Sequence, residues 1–105
     1  MITITESAAN QIRESAKQGD MHGMPLRIAA KITEDGKFEY GMGFDDNKTD
    51  QDIVVESEGI EILISPNAKD LLIGSTLDFV ELEDGQFSFI FQNPNDPAHQ
   101  ASSKN

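Results

Sequence analysis

The densest run of potential ligands in the sequence is Asp45-Asp46-Asn47-Lys48-Thr49-Asp50-Gln51-Asp52. Its oxygen donors suit a hard cation such as calcium. The run lacks the Asp-x-Asp-x-Asp-Gly pattern and the later bidentate glutamate of a calcium loop, so a solvated acidic loop is the expectation. His22 and His99 are the only imidazoles, far apart and outside any His-x-x-x-His spacing, and read as surface side chains in loops. The chain has no cysteine. Disulfides, thiolate nucleophiles, zinc fingers and ordinary cysteine-ligated iron–sulfur sites are therefore excluded. No serine lies in Gly-x-Ser-x-Gly, and no glycine-rich loop leads from a strand into a helix to cradle phosphate. Carboxylates are so frequent that their pairing singles out no site. With no nucleophile–base pair to name, the expectation is a protein that is not an enzyme.

The charge balance narrows the partners. Nineteen acids stand against 8 bases, a net charge of −11. Such a chain repels phosphate backbones and anionic lipid, so neither nucleic acid nor a membrane surface is expected as a partner. The apolar runs are too short to span a bilayer, and the N-terminus lacks the basic-then-apolar pattern of a signal peptide. The expected setting is the cytoplasm.

The elements follow from periodicity. Ile2 and Ile4 alternate with Thr3 and Thr5 as in a short strand. Thr5 can cap a helix, with Glu6 in the first turn, Ala8, Ile12 and Ala16 at helical spacing and Gly19 as the stop. Beyond the loop GDMHGMP the period becomes two. Leu26, Ile28, Ala30 and Ile32 share one strand face, and Arg27, Lys31 and Thr33 the other. Asp35-Gly36 predicts a type I′ turn, and Phe38, Tyr40, Met42 and Phe44 line the return arm. Gly41 and Gly43 lie opposite them, where close packing is expected. A second hairpin turns at Ser57-Glu58-Gly59. A short helix follows, with Ser65 as cap, Pro66 at its first position and Gly74 just past its end. The third hairpin turns at Asp84-Gly85, with Leu77, Phe79, Phe87, Phe89 and Phe91 alternating.

The fold expected is mainly β: three successive hairpins forming a β-sandwich or flattened barrel, with an N-terminal α-helix and one short helix. The aromatics at 38, 40, 44, 79, 87, 89 and 91 are expected to build the core. Residues 1–95 form one domain, and 96–105 a flexible C-terminal tail with neither period nor apolar mass.

Four stretches carry a family resemblance: ITITESAANQIR, PLRIAAKI, ISPNAKDLLIGSTLDFVE and FSFIFQNPN. Together they resemble the A-type iron–sulfur carriers, the HesB/IscA-like family, over residues 1 to about 95. The resemblance implies a HesB-like fold. It also implies three cysteines, one in a loop after the first long strand and two in a C-terminal Cys-Gly-Cys, that hold iron or a cluster. An ungapped match sets Asp35 at the first position and Gln100 and Ser102 near the other two. None is a thiolate, and a 2Fe–2S cluster needs about four soft anionic ligands. No cofactor is therefore expected.

The chain is similar to a cysteine-free kind of this family encoded with genes of dissimilatory sulfur oxidation. The resemblance implies an accessory or regulatory protein that acts on a protein partner of sulfur metabolism or cluster assembly, as a monomer or weak homo-oligomer. The alternative is a carrier of iron or another metal through Asp35 and His99.

Overall fold

The structure, a computed structural model, describes residues 2–96. Of the flexible tail expected over 96–105, only Asp96 falls among them. The chain runs β1 (Thr3–Ile4), α1 (Glu6–Gln18), β2 (Leu26–Ile32), β3 (Phe38–Phe44), β4 (Ile53–Ser57) and β5 (Ile60–Ile64). A 3-10 turn (Pro66–Ala68) then leads into α2 (Lys69–Leu72), β6 (Thr76–Glu81) and β7 (Phe87–Gln92).

All three expected hairpins form, as the antiparallel pairs β2–β3, β4–β5 and β6–β7. They assemble into two sheets rather than a closed barrel, with strand orders β1-β6-β7 and β3-β2-β5-β4. Two parallel pairings do the joining. Strand β1 lies along β6, with Thr3 opposite Thr76, and β2 lies along β5, with Leu26 opposite Ile62. The second pairing places β4 at the edge opposite β3, so the acidic segment between them must cross the sheet.

Helix α1 forms as its caps require. The Thr5 hydroxyl accepts from the Ala8 amide at 3.1 Å and donates to Asp78 at 2.7 Å, which ties the helix start to β6. At the other end Gly19 is the last half-helical residue, but the left-handed residue is Asp20, at φ +57°. Bonds from Asp20 N to Lys17 O and from Met21 N to Ala16 O close the helix. Ala8, Ala9 and Ile12 of its inner face join one core with Ile2 and Ile4, the inner residues of β2 and β5, and Leu77.

The core is aliphatic, which corrects the aromatic core expected. Tyr40, Phe44, Phe79, Phe89 and Phe91 are only partly buried and pack against its margin. Phe38 is also half-buried, and Phe87 is 59 % exposed. Two short sheets and a small helix leave an interior that Ile, Leu and Ala fill, and the wider rings are displaced to the rim.

The turns also differ from expectation. Asp35 keeps a negative φ, and only Gly36 of that loop is left-handed, at +81°. The pair with both central residues left-handed is Glu58-Gly59, at φ +52° and +77°, between the paired Ser57 and Ile60. The type I′ geometry therefore belongs to the second hairpin. Ser65 precedes Pro66 as expected, but its side chain makes no capping bond. Gly74, at φ +80°, follows α2 as predicted. Gly41 and Gly43 face open space, with nothing within 4 Å of where a Cβ would stand, so the expected close packing against them is absent.

Candidate functional site

The loop that joins β2 to β3 is closed by its own polar groups. Thr33 N donates to Lys37 O at 2.7 Å, and Gly36 N to Thr33 O at 2.9 Å. The Thr33 hydroxyl accepts from Lys37 N and donates to the Asp35 carboxylate. Lys37 Nζ approaches the other Asp35 oxygen at 3.9 Å. Asp35 is exposed and engaged within its own turn, on elements that any short hairpin could supply. Five residues, 33–37, separate the paired Ile32 and Phe38, and Gly36 alone among them is left-handed, so the loop is longer than the two-residue turn expected.

A second polar cluster holds the end of the folded chain. Asn93 is fully buried. Its amide donates to Leu71 O at 2.7 Å and to the Tyr40 hydroxyl at 3.1 Å, and its Oδ1 accepts from Asn95 N at 2.9 Å. Asn95 Nδ2 in turn donates to Ile73 O at 2.8 Å. These bonds satisfy carbonyls at the end of α2 that the helix itself leaves open. The Tyr40 hydroxyl donates to Asp96 at 2.6 Å, and its ring lies stacked on Phe91, with centroids 4.4 Å apart. Burial first, and then the Asp96 carboxylate, push the phenol up to about 12. Tyr40 belongs to β3, the return arm of the hairpin that carries Asp35. These bonds form a latch that fastens residues 93–96 beside that hairpin.

The third cluster gathers under the acidic crossing. Arg27 lies on the face of β2 turned away from the core, in register with Leu63. Its Nε donates to Asp45 at 2.6 Å, and Nη1 and Nη2 fork onto Asp52 at 2.9 and 2.8 Å. Nη1 also donates to the Ser65 hydroxyl at 3.0 Å, the bond that Ser65 makes in place of a cap. Asp52 is held well below the usual carboxylate range, by the Arg27 guanidinium first and the Thr49 amide second. Asp45 is lowered by the Asn47 amide and then by Arg27. The run Asp45–Asp52 is accordingly not the freely solvated loop expected; its first and last carboxylates are folded back onto one arginine.

The other sequence-nominated groups do not converge. His22 is exposed in the loop after α1. His99, Gln100 and Ser102 lie outside the described residues. Among the described residues no group of three or more His, Cys, Asp or Glu side chains is arranged to hold a metal. No helix among them is long and apolar enough to cross a membrane. Reading by residue type missed both the latch and the arginine cluster. The signals available were the Asn-Pro-Asn that ends the last strand and a lone arginine in a strand followed by a carboxylate-rich crossing.

The same architecture recurs in known proteins. A family model described as iron-sulphur cluster biosynthesis matches residues 1–98. The chain belongs to this family. It is 31 % identical over 94 residues to the iron-sulfur cluster insertion protein ErpA of Histophilus somni, covering 90 % of this chain and 82 % of that one. ErpA of Actinobacillus succinogenes is 32 % identical over the same length and the same shares of the two chains. Among solved structures, IscA with its 2Fe–2S cluster superposes with a TM-score of 0.76 at 29 % identity, covering 90 % of this chain and 86 % of that one. Escherichia coli SufA superposes with a TM-score of 0.71 at 29 % identity, over 89 % and 80 %. The A-type carrier fold expected from the four sequence stretches is therefore the fold observed. Against that family the donor set is the anomaly. A cluster takes thiolate ligands, and this chain has no sulfur donor except methionine.

Proposed function

We propose that this protein is a non-catalytic accessory or regulatory member of the A-type carrier family. It uses the carrier scaffold to contact another protein and takes no iron–sulfur cluster as cargo. The observation that carries this reading is the state of Asp35. Where the resemblance sets the first cysteine stands a carboxylate already engaged by Thr33 and Lys37 in its own loop. Gln100 and Ser102 at the other two positions bring only an amide and a hydroxyl. Family membership supports a partner drawn from cluster assembly, and the similarity to a cysteine-free kind found beside sulfur-oxidation genes supports a place in sulfur metabolism. A net charge of −11 would steer a basic partner surface toward it.

Anaerobic reconstitution with iron and sulfide, followed by desalting and analysis of both, tests the cargo half. A colourless protein free of iron and sulfide is expected, and stoichiometric iron with sulfide would overturn it. The triple variant Asp35→Cys, Gln100→Cys, Ser102→Cys should gain bound iron and sulfide that the single Asp35→Cys lacks. Capture of a defined protein from native extract, lost at high salt, tests the partner half; recovery of chaperones alone at every salt concentration would count against it.

A further inference from the structure

The β6–β7 hairpin carries a row of rings that runs out of the core into solvent. On one face Leu77 lies opposite Phe91, Phe79 opposite Phe89, and Glu81 opposite Phe87. Leu77 is fully buried, the rings of the middle pair are half-buried, and Phe87 at the outer end is 59 % exposed. The outer three rings are in contact. Phe79 packs on Phe89 at 4.8 Å between centroids and stacks on Phe87 at 5.5 Å. Leu82, 44 % exposed, adds aliphatic surface at the turn. A lone exposed ring is ordinary, but a stacked row with an open end is a prepared contact surface.

Its charge selects the occupant. Residues 75–95 contain Asp78, Glu81, Glu83 and Asp84 and no Lys, Arg or His. Among the described residues, the ion pairs formed involve none of Glu81, Glu83 and Asp84. A second copy of the chain would bring the same carboxylates and the same net charge of −11, so self-association through this face is opposed. Anionic lipid and nucleic acid are repelled likewise. An arginine-bearing segment meets both features at once. A guanidinium can lie on the Phe87 ring and bond the Glu81 carboxylate across the strand pair, while an adjacent aliphatic side chain covers Leu82.

We propose that the outer end of the β6–β7 hairpin, centred on Phe87 and rimmed by Glu81 and Glu83, is the docking surface for a basic amphipathic segment of a partner protein. This rests on the reading of the protein as one that acts by protein contact, and it names where that contact is made.

The probe is a short synthetic peptide alternating arginine and leucine, titrated into isotope-labelled protein and followed by amide shifts. Shifts concentrated on residues 79–89 are expected, with affinity falling about tenfold in Phe87→Ala, the loss of one cation–ring contact. Because Phe87 is mostly exposed the variant should fold, and the charge reversal Glu81→Lys provides a second, independent loss. The proposal is overturned if shifts centre on residues 45–52 or spread over the whole acidic surface. It is also overturned if a peptide alternating arginine and serine binds equally well, or if Phe87→Ala binds like the parent. Capture from native extract separates this surface from the broader reading. A partner retained equally by parent and Phe87→Ala rejects the surface and leaves the reading, whereas localised peptide binding with no partner retained by the parent supports the surface and rejects the reading.

Discussion

The Tyr40 hydroxyl donates to Asp96 across 2.6 Å, fastening the middle of β3 to the point where the chain leaves the sheets. The same oxygen accepts from the buried Asn93, and the ring above it rests on Phe91. Tyr40 thus serves as both a rim aromatic and the hub of the C-terminal latch.

Tyr40 is the only tyrosine, and there is no tryptophan, so its ionisation can be followed directly by ultraviolet absorbance. The folded protein should titrate near 12, where unfolded chain in urea titrates at about 10. The sign follows from linkage. The neutral phenol is favoured by folding, so its contribution is complete below the unfolded value and is lost as pH rises from there through the folded one. A folded midpoint equal to the unfolded one would refute the latch.

Asn93→Ala should cost about 2–3 kcal/mol in urea unfolding, because Leu71 O and Asn95 N both lose a buried partner. Asn93→Asp, nearly equal in volume, should be similarly damaging, since a carboxylate cannot donate to Leu71 O. If the aspartate variant matched the parent, side-chain volume rather than hydrogen bonding would be the role of this residue.

Arg27→Met should lower the melting temperature at neutral pH by freeing Asp45 and Asp52, the latter with only 4 % of its side chain exposed. Both carboxylates are held below their ordinary values, so the stability they bring is present above about pH 4 and is lost as pH falls below it. Melting curves of parent and variant should therefore converge in acid. Arg27→Lys should recover only part of the loss, since an ammonium cannot fork onto Asp52 while also reaching Asp45. Curves that stay parallel down to acid pH would show that the cluster is not ionic in its effect.

Glu58 is a non-glycine residue at φ +52° in the one turn, among the described residues, where both central residues are left-handed. Glu58→Asn should raise stability by about 0.5–1 kcal/mol in thermal or urea unfolding, since asparagine tolerates this region better. Arg13 bonds the backbone carbonyl of Glu58, so that contact survives the exchange. A loss of stability would mean that the glutamate side chain contributes more than its backbone strain costs.

Much of this protein was decided locally. Alternation through Leu26, Ile28 and Ala30, the Thr5 cap and the Gly74 stop are responses to neighbours a few residues away, and each element they define is present. The lack of any thiolate is a property of composition alone. Tertiary structure decided the rest. A period of two sets the face of a strand but not which strand lies beside it, so the insertion of β5 along β2 depended on packing between distant segments. That insertion sent the acidic run across the sheet and gave Arg27 its two carboxylates. Likewise, alternation marks Phe87 and Leu77 as equivalent, and only the limited reach of the core left one buried and the other in water.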